Sequence, residues 1–599
     1  MKKSKSTLFR SISISLFTIL LSVILSSVAF AGTARTVCVS GCGYSTIQAA
    51  INASSDGDIV VVRPGTYTEN IDFGGLDIEV TSQSCPEETI IDGDASGSVV
   101  IFEDSETSAA ILNGFTITNG SAAYGGGVHI DGASPTIKNC IITSNVATSY
   151  GGGIYVTGYA SPSIEYCVIT YNDGSYKGGG VHCESYATPT ISDCDISYNS
   201  ANDSNGDGGG IYASSEITVT DSTITHNGSY RNGYGICISS GELDISDSAI
   251  SYNTSTVGYF GAGTAIYSVS STITVDNCTM NDNKVAVGGQ YPYSGPVVYV
   301  ESSTTTIRNN TIIEDNEATE GSGGVIAYAG SAGHSLTITD SIIRDNIGTG
   351  SGTGGGVGAS ANDLTISDSI ISGNTAGTGG GIYFNGDGND LSVTDSFVTG
   401  NTALGGGGGI SMYRADGASN TITNCLIADN TAVAAGAVNG GGGLKTRNSD
   451  VTLTNVTMAD NTSTNGDGDE INLYLDSNVD IENSIIWRSS NSDMIADYYN
   501  ASYPNTLDID YSNTAYDTSD LTNTTVTDTN QIGTAGTGED PDYNKDQGTP
   551  DAGKDDYYIV TGSPCIDEAD ATNAPADDIV EVSRPQGSAD DMGAYENDD

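Results

Sequence analysis

Apolar and polar positions recur along this chain in short bursts at a regular interval. The segment Thr136-Ile137-Lys138-Asn139-Cys140-Ile141-Ile142-Thr143-Ser144-Asn145 returns as Ser163-Ile164-Glu165-Tyr166-Cys167-Val168-Ile169-Thr170-Tyr171-Asn172, and again from Thr190 to Asn199. Equivalents of Cys140 fall at 167, 194, 222, 248, 278, 310, 341, 369, 396, 425, 456 and 484, a mean period of about 29 residues. One column is aliphatic in every repeat: Ile137, Ile164, Ile191, Val219, Ile245, Val275, Ile307, Ile338, Ile366, Val393, Ile422, Leu453 and Ile481. A second runs from Ile142 through Ile169, Ile196 and Ile224 to Ile486. After a loop of variable length come glycines and an alternating strand, as in Gly151-Gly152-Gly153-Ile154-Tyr155-Val156. Two or three short β-branched strands per repeat cannot bury themselves alone. Stacked about 4.8 Å apart they make parallel sheets around a continuous apolar core. The expected fold is all-β, a parallel β-helix of about 13–16 coils with a small helical cap, spanning residues 59–488.

Two polar columns accompany the apolar ones. The Cys140 position holds only Cys, Ser, Asn or Val, so its cysteines read as small buried side chains that pack as hydrophobes, with bridges between adjacent coils as the alternative. Five or six residues later every coil from Asn145 to Asn461 carries asparagine. Stacked amides can bond one another and the nearby turn backbone. A ligand-facing row is the other reading, and the flanking apolar columns favour an internal ladder.

Composition adds a destination and a charge. Residues 1–31 combine Lys2, Lys3, Lys5 and Arg10, an apolar run from Ile12 to Val28 and the small-x-small site Ala29-Phe30-Ala31, the pattern of a secretory signal peptide. A membrane anchor is the competing reading, disfavoured by the short apolar core and the absence of stop-transfer charges. No transmembrane span is expected after signal removal, so the setting is secreted or cell-surface. The net charge of −56 becomes −60 once the leader's four basic residues are gone. Such a surface excludes nucleic acid and anionic membranes as partners and would repel a polyanion unless divalent cations bridged the two. Eleven cysteines after an export signal permit disulfides, with one among Cys38, Cys42 and Cys85 able to pin the N-terminal end.

From residue 36 to 488 the repeated GGG-[IV]-Y and T-I-x-[ND]-[CS]-x-I-x-x-N segments resemble the right-handed parallel β-helix proteins of the pectin lyase-like superfamily. The opening Tyr44-Ser45-Thr46-Ile47-Gln48-Ala49-Ala50-Ile51, then Gly57-Asp58-Ile59-Val60-Val61-Val62 and Pro64-Gly65-Thr66-Tyr67, carries the same resemblance. It implies right-handed coils and a short amphipathic helix, within a cap at 32–58, that closes the end of the solenoid; Ile47, Ala50 and Ile51 share one helical face. Residues 489–561 read as irregular and acidic, with the last coil ending near Trp487. Residues 562–599 contain Gly562-Ser563-Pro564-Cys565-Ile566-Asp567, Arg584-Pro585-Gln586-Gly587 and Asp591-Met592-Gly593-Ala594-Tyr595-Glu596. These resemble the choice-of-anchor element of bacterial and archaeal surface β-helix proteins, which implies an envelope or secreted setting.

Candidate chemistry concentrates after the glycines. His129, Tyr155, His182 and Tyr212 fall in one outward column, and Asp131 and Glu184 in another two residues on. Together they define an expected exposed patch, with His129, His182 and Glu184 as candidate acid/base groups and Tyr155, Tyr212 and Asp131 as candidate ligand contacts. An ordinary exposed β-face accounts for the same residues. Neither the basic-residue apparatus of a lyase or epimerase nor the three aspartates and histidine of a polygalacturonase-type hydrolase can be carried over onto this chain. For calcium, the oxygen-bearing runs Asp203, Asn205, Asp207 and Asp540, Asp542, Asn544, Asp546 are candidates, with Asn465, Asp467, Asp469 and Glu470 as a third cluster; a solvated turn is the plainer reading of each. The favoured function is a non-catalytic adhesin, glycan-binding or structural envelope solenoid whose partner is an extracellular polysaccharide or envelope component. The alternative is a polysaccharide lyase, epimerase or glycoside hydrolase working over the His129–Glu184 patch.

Overall fold

A computed structural model describes residues 32–514 apart from 255–262, 286–296, 319–323, 329–333, 349–351, 417–418, 434–439, 465–467, 488–493 and 499–501, and scattered residues beyond 514. The leader therefore lies outside the described residues. Within them the chain winds through about 15 turns of a right-handed parallel β-solenoid with almost no helix.

One coil shows why. Thr136–Lys138 enters sheet A, Asn139 turns with φ of 52°, and Ile141–Thr143 enters sheet B. Ser144 turns with φ of 57°, Asn145 points inward, and Val146–Tyr150 crosses to the glycines that open sheet C at Ile154–Thr157. Among the described residues sheet A has 19 strands and sheet C has 16, while sheet B runs in the same parallel order from Gly65–Thr68 to Asn513–Thr514. Short flanking sheets of five and seven strands follow the asparagines. The aliphatic column pairs in register, Ile137 with Ile164, Ile164 with Ile191 and Ile191 with Val219, and all are buried. Each such side chain contributes about 1.5–3 kcal/mol on leaving water.

The N-terminal cap is the helix α1, Ile47–Asn52, which buries Ile47, Ala50 and Ile51 against the first coil. Thr46 Oγ1 accepts from the Ala49 N–H, and the Glu69 carboxylate accepts from those of Ile47 and Gln48, satisfying donors that a helix start leaves open. Cys38 and Cys42 form a disulfide beside it, and Cys85 is free and exposed.

Three details differ from the sequence expectation. In the coil after Cys278 an extra residue slips in: Thr279 pairs with Ile312, so Thr311, not Asn310, takes the Cys278 column, and both Asn309 and Asn310 adopt positive φ to absorb it. The solenoid also passes Trp487. Asn505–Asp510 extends sheet A, with Ile509 continuing the aliphatic column after Ile481, and Thr524–Thr529 adds a further strand. Polar residues between short strands hid these coils in the segment expected to be irregular. Finally, Cys565, Ala569 and Ile579 of the C-terminal region pack on the outer face of sheet B against Ile485, Phe397, Leu426, Ala428 and Ala459.

Candidate functional site

The outward column of sheet C is in the expected register. His129 pairs with Tyr155, Tyr155 with His182, His182 with Tyr212, and Tyr212 with Cys237. Asp131 pairs with Thr157, which places Glu184 in the next coil of that same column. The exposure expected for this patch is corrected. His182 is fully buried, Tyr155 and Tyr212 keep only 6 % and 5 % of their surface, and Glu184 is half-buried. The cause is the segment just before the glycines of these coils, which folds back over the face. It lays the Tyr124 ring 5.2 Å from Tyr155 and the Tyr150 ring 4.8 Å from His182, and brings Lys177 Nζ within 2.7 Å of the Tyr212 hydroxyl. These covering residues were missed. Their signal was nonetheless present, because Tyr124, Tyr150, Lys177 and Asp207 each immediately precede a glycine and form a register column of their own.

Inside this cover the polar groups satisfy one another. Tyr155 donates its hydroxyl to Glu184 Oε1 at 2.5 Å, and His182 Nε2 lies 3.4 Å from Glu184 Oε2. The hydrogen bond from His182, aided by that from Tyr155, brings the Glu184 carboxyl down to about 2 against its burial. Burial pushes His182 below the usual imidazole range, and burial with the Glu184 contact pushes Tyr155 up. At neutral pH the trio is therefore a carboxylate held between a neutral imidazole and a phenol. The ring faces are spent as well: His182 lies 5.4 Å from Tyr155 and 5.0 Å from Tyr212, at interplanar angles of 20° and 7°. A sugar ring has no open face of Tyr155 or Tyr212 to lie on. His129 stands at the edge, half-buried, its Nδ1 3.4 Å from Tyr124 O, while Asp131 is exposed and apart from Glu184.

The described residues of the first oxygen-rich run do not converge on one point. Asp203 Oδ1 accepts from Ser204 Oγ and from the Asn205 N–H, a local turn, whereas Asp207 turns to the next coil and accepts from the Asn232 N–H at 3.1 Å. Asp540, Asp542 and Asp546 lie outside the described residues, Asn544 is described only as part of the strand Tyr543–Asn544, and Asn465 and Asp467 are also outside. Asp469 and Glu470 have inward tasks. Asp469 Oδ1 accepts from the Ser463 N–H at 2.6 Å, and both Glu470 oxygens accept from Asn461. A recess of about 500 Å³ beside Asp578 is lined by Asp340, Asp368 and Asp395, yet among the described residues no three acidic, Cys or His side chains stand close enough to share a metal ion.

Comparison with known proteins places the repeats. The model of the right-handed β-helix region matches residues 89–241, 126–312, 201–398 and 296–453, together a run from 89 to 453. No curated protein matches the chain. Solved structures with a similar course include a pectin methylesterase from carrot, at 14 % identity and a TM-score of 0.25 over 46 % of this chain and 83 % of that one. The pectate lyase Pel9A has 12 % identity and a TM-score of 0.18 over 95 % and 98 % of the two chains. The A-module of the Azotobacter vinelandii mannuronan C-5 epimerase AlgE6 has 13 % identity and a TM-score of 0.23 over 71 % and 92 %.

Proposed function

This chain belongs to the right-handed β-helix family, and from that premise we propose that it is an exported, non-catalytic solenoid, a rigid adhesive, glycan-binding or structural element of a cell surface. The observation that carries the reading is the closed state of the only constellation the sequence offered for catalysis. A general acid must hold a proton near working pH, and Glu184 is held ionised; a general base must reach solvent or substrate, and His182 is covered on every side. The leader and the acidic surface support export and solubility.

The test is direct. Purified protein incubated with uronic-acid and neutral glycans is expected to give neither unsaturated products nor new reducing ends. Product that disappears in Glu184→Gln, with the circular dichroism unchanged, would overturn the reading in favour of a lyase, epimerase or hydrolase. Calcium belongs to the same proposal: with 75 acidic residues, chelation at low salt is expected to lower the melting midpoint, and an unmoved midpoint removes calcium from the account.

A further inference from the structure

In a chain of net charge −56 a cation should find a carboxylate, and several do. Arg35 pairs with Asp58, Lys284 with Glu317, Arg308 with Asp276 and Arg344 with Glu314. Two neighbouring coils of sheet C break the pattern. Lys445 stands between Ser411 and Asn472 in register, and Arg447 between Tyr413 and Tyr474, with Arg414 next to Tyr413. None of the three cations has an ion-pair partner among the described residues. Arg447 lies over the Tyr413 and Tyr474 rings at 5.0 and 5.1 Å, and Arg414 over Tyr413 at 4.9 Å. Cation–π contact uses the guanidinium faces and leaves the N–H edges free to donate.

We propose that Lys445, Arg447 and Arg414 form a receptor for an external oxyanion, a carboxylate or sulfate group, free or borne on a sugar. Lys445 is the strongest sign. Its stem runs beside the buried Ser411 and Asn472, and burial, with the Arg447 charge beside it, brings the amine down to about 8. An unpaired, mostly buried ammonium is costly, and neighbouring like charges add to the cost. An oxyanion between Lys445 and Arg447 removes both penalties, offering the ammonium an ion pair and the guanidinium a two-pronged acceptor. The site does not depend on the adhesin reading, because it needs no particular partner, only that anionic group.

The experiment is lysine acylation of the intact protein at pH 8 and constant ionic strength, read by peptide mass spectrometry. Sodium sulfate or D-glucuronate is expected to slow labelling of Lys445 at least threefold relative to chloride, and glucose to leave it unchanged; whichever anion acts identifies the group. Arg447→Gln is expected to abolish the protection while leaving the circular dichroism unchanged. Lys445→Met is expected to melt higher than the parent in chloride and to lose its response to the anions. Equal labelling of Lys445 in chloride, sulfate and glucuronate, or equal protection of the exposed Lys284, would overturn the proposal.

Discussion

Asn145 sets the pattern for the interior. Its Nδ2 donates to Asn172 Oδ1 at 3.1 Å and to Ile117 O at 3.0 Å, and Asn172 repeats the arrangement with Asn199 and Ile142. The ladder continues unbroken to Asn461, where the glycine column holds Glu470 at the position aligned with Gly443. Its carboxyl takes the position the next amide would fill. Burial raises the Glu470 carboxyl well above its usual range, and Asp460 and Asp429 push the same way. The proton-holding form is thus favoured in the folded state, so the stability this group contributes is full below its unfolded value near 4.3 and is lost as pH rises through the elevated folded value. Glu470→Ala leaves two donors of Asn461 without acceptors and is expected to cost about 1–3 kcal/mol. Hydrogen exchange of the last coils should show the gap from the parent largest near pH 4 and narrowing toward pH 8. The Cys140 column is a second ladder rather than a row of plain hydrophobes. Cys140 Sγ donates to Lys138 O at 3.2 Å as Ser222 Oγ does to Thr220 O at 2.7 Å, and Ser222 Oγ in turn accepts from the Cys194 N–H. Sequence showed that this column is small; the geometry explains why Cys and Ser exchange in it.

Most strands here are two to five residues long, so their ends matter more than their propensities. The residue before each ladder asparagine adopts positive φ, and in later coils it is Asp282, Asp315, Asp345, Gly373, Gly400, Asp429 or Asp460, types that tolerate the left-handed region. Four earlier coils place Tyr171, Tyr198, His226 and Tyr252 there instead. Each costs about 1–2 kcal/mol of backbone strain, and each stacked pair, at 5.1, 4.7 and 5.2 Å, returns about 0.5–1.5 kcal/mol. The entry to sheet C is stricter. Gly379 has φ of 63°, and a Cβ there would meet Ile382 O at 2.5 Å and Tyr383 Cβ at 2.8 Å. Gly379→Ala combines a left-handed penalty with a backbone clash and is expected to cost more than about 2 kcal/mol. Because each coil contacts mainly its neighbours, the loss should show as local hydrogen exchange around residues 354–410 before the whole rod unfolds. The strand alternation and the glycines were readable from the chain. That the segments before the glycines would roof sheet C was not, because it depends on loops of different length meeting side chains one or two coils away.

On the scale of the whole molecule, the solenoid is capped by a helix at one end, and Cys565, Ala569 and Ile579 from far along the chain pack on its sheet B. The outward column of sheet B, which holds Asp195, Thr223 and Ala249 in three successive coils, has Phe397, Leu426 and Ile485 further on, and Cys565, Ala569 and Ile579 lie on these. Exposing each of the three large side chains would cost about 1.5–3 kcal/mol. A chain ending after Thr529 is therefore expected to melt lower and to bind a hydrophobic dye that the full chain ignores, and an unchanged melting curve would show the contact to be without weight. The sequence by itself determined the coil, the apolar columns and the amide ladder, because each repeats at the stacking period and so writes itself into the chain a dozen times over; the helical cap, made once, was legible from the single apolar face of Ile47, Ala50 and Ile51. Only the tertiary structure decided that the His129–Glu184 patch is roofed, that Glu470 ends the ladder and that Cys565, Ala569 and Ile579 pack on sheet B. These are single events between residues distant in the chain or between loops of unequal length, and a contact made once leaves no period to read.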